Sequence, residues 1–434
     1  MEVVVRSRSL VLTLALVLIG GFPAHSAYAA RTTADDEAEE PFQGRTVQYY
    51  RPEACKKCHE EIYNQWKSSM HAKSTALKDP IHEAMYQMEV GSPTEEGVKH
   101  KKSQTYPVCL QCHAPVAAME KKTKLDEKEA YSNGVGCVVC HSFAHFKGIK
   151  KPDGKYQLGQ LAYQVDTEQL YGPSGISYTK KRVPKGSTWP IPVNHPQPIK
   201  GSKASLFKSN DLCMGCHDQR NNPKEVPLCM TGPEYEKGKA FINCQACHMA
   251  PTEVVNKDGE KVKVFDHTMA GGHHDKMITQ GVALSMDVKR EGDNFKVDIT
   301  LRNRLPHAYP TGAPFRNAIV RVAAYDKDGK LLWQNYEKHP SKDDPKAFLL
   351  LALGKDGKPV MPPEATEILN DSRLQPDETR ALEYSFTAAG VGIVRTELLY
   401  HLLTPPVLEM FGDKLPEEVK KARVAASAEE RFES

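Results

Sequence analysis

Ten of the eleven cysteines in this chain stand in pairs three positions apart, and a histidine follows each pair at once. The five motifs are Cys55-Lys-Lys-Cys58-His59, Cys109-Leu-Gln-Cys112-His113, Cys137-Val-Val-Cys140-His141, Cys213-Met-Gly-Cys216-His217 and Cys244-Gln-Ala-Cys247-His248. Cysteines at this spacing sit about one helical turn apart. Their sulfurs can bond the two vinyl groups on one edge of a haem while the next residue brings an imidazole under the iron, the attachment signature of haem c. A zinc knuckle takes four ligands from two such pairs and needs no histidine after each. A disulfide framework, open to an exported protein, accounts for no histidine at all. The spacing therefore predicts five covalently attached haem c groups, with Cys55, Cys58, Cys109, Cys112, Cys137, Cys140, Cys213, Cys216, Cys244 and Cys247 as thioethers. His59, His113, His141, His217 and His248 are the expected proximal iron ligands.

The start of the chain fits an exported cytochrome. Arg6 and Arg8 precede an apolar run from Leu10 to Ile19, and Ser26-Ala27-Tyr28-Ala29-Ala30 offers a small-residue exit, so residues 1–29 read as a cleavable secretory signal. The apolar run is too short for a stable membrane span, and no later segment is apolar enough to cross a bilayer once the signal is removed. Residues 30–47 are acidic, without periodicity, and read as a disordered linker. The formal charge is +3, but each haem brings two propionates, so the loaded protein is net acidic and nucleic acid is not an expected partner. Lysine runs such as Lys101-Lys102 and Lys121-Lys122 read as solvated faces, with a docking patch for an acidic redox partner as the alternative. The expected location is the periplasm or the cell exterior.

Residues 48–277 must position the haems, and they read as a mainly α-helical, loop-rich domain with little regular structure. After the first motif, Ile62, Tyr63 and Trp66 share one helical face and are expected to pack on haem. If that helix continues, His71 lies twelve residues from His59, about 18 Å along the axis. It is then either a ligand to a different haem or a surface histidine. His82 and His100 read as exposed. His113 and His141 are 28 residues apart, which suggests neighbouring haems. Gly134-Val-Gly136 reads as a turn that allows close backbone approach, and His145 faces the same way as His141 and cannot reach the far side of its haem. Residues 147–212 form a long covering loop in which His195, held before Pro196 in an extended conformation, is either an axial ligand or a loop histidine. Cys229, the odd thiol, is expected to be buried rather than to form an intermolecular disulfide. In Phe265-Asp-His267-Thr-Met269-Ala-Gly271-Gly272-His273-His274 at least one histidine is expected to ligate iron, His267 first and His273 next.

The composition changes near residue 278. Val282–Val288, Phe295–Arg302, Ala318–Tyr325, Leu331–Trp333, Ala381–Phe386 and Val394–His401 read as strands separated by tight turns, which predicts a small antiparallel, immunoglobulin-like β-sandwich over residues 278–402. The fold class is thus α+β. Residues 403–434 read as a charged helical tail. Within the sandwich, His307 in the loop Asn303–Gly312 either reaches back to a haem or stabilises a turn.

With these residues in view, the chain resembles the multihaem cytochrome superfamily that includes hydroxylamine oxidoreductase, its tetrahaem acceptor cytochrome c-554 and the pentahaem nitrite reductases, and in particular acceptor-type proteins with a C-terminal β-sandwich. The resemblance spans roughly residues 50–400 and rests on the first motif followed by Tyr63, Trp66, Ser69 and His71, on Cys112-His113-Ala-Pro115, on Gly134-Val-Gly-Cys137, on Cys247-His248-Met249 with His267 downstream, and on His307-x-x-Pro310-Thr-Gly312. It implies that His71 and His267 are distal ligands and points to His307 as another. Pentahaem nitrite reductases carry lysine in place of histidine in the catalytic motif, whereas all five motifs here end in histidine. The tyrosine-crosslinked haem of hydroxylamine oxidoreductase cannot be assigned here.

Of the seventeen histidines, eleven lie outside both the motifs and the leader, enough to close every iron on its second face. The expected distal set is His71, His195, His267, His273 and His307, and no catalytic residue is expected. A haem closed on both faces moves electrons; one with an open face binds small ligands. The expected function is electron transfer between periplasmic or cell-surface partners, either other multihaem cytochromes or a membrane quinol-oxidising complex, with oligomerisation left open. The alternatives are a nitrogen-oxide oxidoreductase with one open haem and a subunit of an extracellular cytochrome filament.

Overall fold

The computed structural model describes residues 49–173, 199–200, 205–256 and 259–433; the expected leader (1–29), the acidic linker (30–47) and His195 lie outside the described residues. Up to residue 278 the chain is built from short helices and two-stranded ribbons. The sequence punctuates these helices closely. Proline opens α1 (Pro52–Lys56), α3 (Pro80–Glu89) and α5 (Pro115–Met119), where its missing N–H costs nothing and its fixed φ suits the first turn. Asp79 caps α3 by accepting from Ile81 N at 3.0 Å. Between α1 and α3 lies α2 (Glu60–Ser68), which ends before His71, so the chain turns there instead of continuing as a helix.

The motifs supply the other turns of helix: α4 (Leu110–His113), α6 (Cys137–His141), α7 (Asp211–His217) and α9 (Cys244–His248), with α8 (Thr231–Gly238) between the last two. In the first two motifs a backbone bond returns from the histidine N–H to the first cysteine carbonyl, His59 to Cys55 at 2.9 Å and His113 to Cys109 at 3.0 Å. That bond sets the imidazole one turn beyond the first sulfur. Four ribbons join these helices: β1 (Phe143–Phe146) with β2 (Tyr163–Val165), β3 (Leu170–Tyr171) with β4 (Ile199–Lys200), β5 (Arg220–Asn221) with β6 (Pro227–Cys229), and β7 (Pro251–Val255) with β8 (Lys261–Phe265). No helix among the described residues is long and apolar enough to cross a membrane.

The C-terminal half is a sandwich of two antiparallel sheets. One is β16-β10-β9 (Thr379–Thr387, Asn294–Asn303, Val282–Glu291). The other runs β14-β13-β11-β17-β18 (Lys358–Pro359, Phe348–Lys355, Asn317–Tyr325, Ile393–His401, Arg423–Arg431), with β12 (Leu331–Gln334) on β11 and β15 (Glu367–Asp371) on β13. Alternation along β10 turns Phe295, Val297, Ile299 and Leu301 into the core, where they join Val320, Val322, Leu349 and Leu398 of the facing sheet.

The tail differs from the helical expectation. Pro405–Phe411 and Glu417–Lys420 are helical, but Arg423–Arg431 is strand β18, paired with β17 from Tyr400↔Arg423 to Ile393↔Arg431. Its alanines and glutamates favour a helix in isolation. The free edge of β17 offers a ladder of backbone partners that overrides this preference, and Ala425 is buried in the sandwich core as a result.

Helix α3 couples the two halves. Its Ile81 and Ala84 belong to the sandwich core, while Tyr86 belongs to the core of the motif-bearing half with Leu110, Tyr131 and Phe143.

Candidate haem-binding centre

Contacts between cysteines order the motifs in space. The thiols of Cys55 and Cys137 lie close enough to perturb each other's ionisation, as do Cys112 with Cys216 and Cys213 with Cys244. The first motif therefore abuts the third, the second abuts the fourth, and the fourth abuts the fifth. Cys140 of the third motif lies near Cys213 and Cys216 of the fourth. Between them stands Tyr163, its ring stacked on Phe143 with centroids 3.9 Å apart. The Tyr163 hydroxyl accepts from Gly215 N at 2.9 Å and donates to Leu212 O at 2.8 Å, so it pins the fourth motif to the ribbon that follows the third. Gly134 makes the other close approach. At φ +63° it crosses the chain after α2 so tightly that a Cβ would lie 2.4 Å from His71 O.

The histidines fall into two groups according to which ring nitrogen is used. In six of them Nδ1 faces a backbone carbonyl: His82 and His113 share Ser74 O at 2.8 and 2.9 Å, His141 faces Tyr171 O at 2.7 Å, and His248 faces Ala270 O at 2.6 Å. His267 faces Phe265 O at 2.7 Å and His307 faces Ala308 O at 3.0 Å. A carbonyl only accepts, so Nδ1 carries the proton and Nε2 keeps its lone pair, the arrangement that orients a metal-ligating imidazole. Burial keeps His82, His113, His267 and His307 neutral. It pushes His113 and His267 down to about 4 and His82 well below the usual range.

The rings also meet in pairs. Two imidazoles that bind one iron from opposite faces, each about 2 Å from the metal, place their ring centres roughly 6 Å apart. His71 and His217 have centroids 6.0 Å apart, and His248 and His307 lie 6.5 Å apart. His82 and His113 are closer, at 4.1 Å. His82 Nε2 is buried without a hydrogen-bond partner, an exception that calls for a ligand. His71 is also depressed: burial first, then His217, His113 and His248, push it down to about 3. Burial first, then His141 and, more weakly, His59 lower His267, and its backbone N–H donates to Gln65 Oε1 at 3.0 Å. It therefore stands beside the pair formed by the first and third motifs.

A buried clamp holds His307. Asn303 donates to His307 O at 2.9 Å, and the next N–H, that of Ala308, donates to Glu234 Oε2 at 3.2 Å. Glu234, on α8, also accepts from Thr311 Oγ1 and from Arg373 Nη1, both at 2.5 Å. Arg373 reaches Asp371 as well, at 2.8 Å, and its side chain and that of Glu234 are 4% and 3% exposed. The sandwich loop is thus bolted to the helix between the fourth and fifth motifs.

One expectation requires correction. His82, read as exposed, is 9% exposed and faces His113; a proline-started helix with Tyr86 four residues on was the signal that places it on a buried face. His273, expected as a distal ligand, is not set against a motif histidine. Its Nε2 accepts from Arg316 Nη2 at 3.3 Å, which occupies the lone pair that iron would need. His100 is held by Ser103 N and Glu89, and His145 lies exposed on β1. Burial raises the Cys229 thiol, which lies near Arg220 and Cys112. Paired imidazoles at the span of an axially bound iron and an orphaned buried Nε2 fit haem, with the five cysteine pairs as the thioether residues.

Comparison with known proteins agrees with this geometry. Residues 54–142 match the family described as cytochrome c554 and c-prime. The crystal structure of a penta-heme cytochrome c552 from Thermochromatium tepidum is similar, with a TM-score of 0.78 and 42% sequence identity over 89% of this chain and 100% of that one. A search of curated proteins gives no match.

Proposed function

This chain belongs to the pentahaem c-type cytochromes and carries five covalently bound haem c groups, and from that premise we propose that it is an exported electron wire whose irons are closed on both faces by histidine. Electron transfer is its function as a cytochrome. The observation that carries the finer reading is the facing of imidazoles across an iron-sized span, His71 with His217 and His248 with His307.

We assign His82 as partner of His113, and His267 as the second ligand of one of the two haems attached at Cys55 and Cys137. His195 is the candidate for the other. Each haem supplies a single iron(III)/iron(II) couple, with no position left for substrate. The chain's own residues do the rest. Backbone carbonyls hold Nδ1 protonated and Nε2 aimed inward, and burial excludes the proton that would compete for Nε2. The order of motif contacts, first to third to fourth, with the second and fifth both on the fourth, defines a branched route whose hub is the Cys213–His217 haem. The cleavable leader points to the periplasm or cell exterior, with other multihaem cytochromes or a membrane quinol-oxidising complex as partners.

Exposing the fully reduced protein to carbon monoxide tests closure. An unchanged Soret band is expected; a photoreversible shift of one fifth of the band would indicate an open iron and support a catalytic role.

A further inference from the structure

At the seam between the two halves, Arg316 precedes β11 and Arg423 opens β18, while His273 and Lys73 come from the motif-bearing side. Arg316 Nη2 donates to His273 Nε2 at 3.3 Å and Nη1 to Tyr400 Oη at 3.1 Å. Arg423 Nη1 donates to Gly272 O at 3.0 Å, and its Nε lies 3.3 Å from Asp275, a carboxylate that is 83% exposed. The charges acting on the His273 ring are those of Arg316, Arg423 and Lys73, all positive. The glycine before it is needed for this closeness: a Cβ at Gly272 would lie 2.3 Å from Tyr400 Oη and 2.9 Å from Arg316 Nη1.

The contrast with Arg373 is informative. Arg373 is matched by two carboxylates, at 2.5 and 2.8 Å. Half-buried Arg316 has a phenol and an imidazole, and among the described residues no carboxylate lies within ion-pair distance of it; Asp79 acts on it only at longer range. Two half-buried guanidinium groups, with the exposed Lys73 nearby, face only the largely exposed Asp275, an excess of positive charge that an anion would complete. Guanidinium geometry suits a carboxylate.

The same loop identifies which carboxylate. Met269 Sδ lies 2.6 Å from His71 Nδ1, and Ala270 O receives the His248 Nδ1 proton at 2.6 Å. The loop therefore runs from a histidine of the fourth haem, past one of the fifth, straight into the cationic cluster. We propose that Arg316, Arg423, Lys73 and His273 form a cradle for the propionate carboxylates where the fourth and fifth haems meet, so that the sandwich supplies counter-charge to the hub of the route. The proposal rests on reading His71 and His248 as ligands of those haems.

The test is spectroelectrochemical titration of the holoprotein and of Arg316→Gln and Arg423→Gln, with Arg395→Gln, on β17 and paired with Glu429, as control. A cation beside a propionate favours the reduced haem, so each cradle variant is expected to weaken reduction of one or two haems about tenfold, a fall of about 59 mV for a one-electron couple, with all haems still low-spin. Potentials that match the control in both variants overturn the proposal. So does an arginine-dependent fall in wild-type potentials on adding phosphate, which would mean a free oxyanion fills the cradle. If Arg316→Gln does not fold, Arg423→Gln and Lys73→Gln carry the same reading. Failure of the ligand assignment shows separately, as an unchanged spin state in His71→Ala.

Discussion

The His71 ring faces the His217 ring at 6.0 Å, although 146 positions separate them in the chain. On the proposed reading, the histidine that follows the first motif's helix closes the haem of the fourth. Replacing His71 by alanine should convert one haem to a high-spin form while all five stay covalently attached. Optical and paramagnetic resonance spectra of the purified variant check this, and an unchanged low-spin signal removes His71 from the ligand set.

His82→Ala should have the same consequence at a different iron, that of the Cys109–His113 motif, because His82 Nε2 has no other partner. The double variant His71→Ala/His82→Ala should show two high-spin haems. One high-spin haem in the double variant would mean both residues serve the same iron.

The Glu234–Arg373 clamp predicts a stability effect. Arg373→Met leaves Glu234 charged, buried and without its cation, at a cost of about 3–5 kcal/mol. Adding Glu234→Leu should recover much of that loss, since the orphaned charge is gone. Thermal unfolding of the two singles and the double measures the coupling. Strict additivity would contradict the clamp.

Acid should act through the buried imidazoles. His71, His113 and His267 are depressed from 6.5 to about 3, 4 and 4, so the folded state keeps them neutral while the unfolded chain takes up protons. Their contribution to stability is full above pH 6.5 and falls as pH drops from there toward 4. An acid titration followed by the Soret band and circular dichroism should show cooperative loss in that window. A low-spin spectrum retained below pH 3 would contradict it.

Removing residues 422–434 should destabilise the sandwich, because it strips β18 from β17 and Phe432 from Phe295, whose rings lie 5.5 Å apart. A lowered melting temperature and aggregation through the exposed β17 edge are expected. A truncated chain that melts like the intact one would show β18 to be dispensable.

The motifs and the sandwich strands were legible because their signals are local. Cysteine spacing carries its chemistry within five residues, and the alternation in Phe295–Arg302 is a period that only a half-buried strand explains. β18 was not legible, since its alanines and glutamates speak for a helix until the β17 edge is known. The distal histidines lie between these cases. The rise per residue separated His71 from its own haem only on the condition that the helix continued, and α2 ends at Ser68; the ring His71 meets depends on how the fourth motif returns past Gly134 and Met269. The burial of His82 was not legible, because a histidine's surroundings are decided by how the chain folds back and by what holds each ring nitrogen. Ser74 O lies eight residues before His82, across the turn into α3, and Arg316 lies 43 residues after His273.

The most direct test of the wire reading is low-temperature electron paramagnetic resonance of the oxidised protein, with and without nitric oxide. Closed irons predict only low-spin ferric signals that nitric oxide leaves unaltered. A high-spin signal that changes on adding the gas would contradict full closure and make one haem a reaction site.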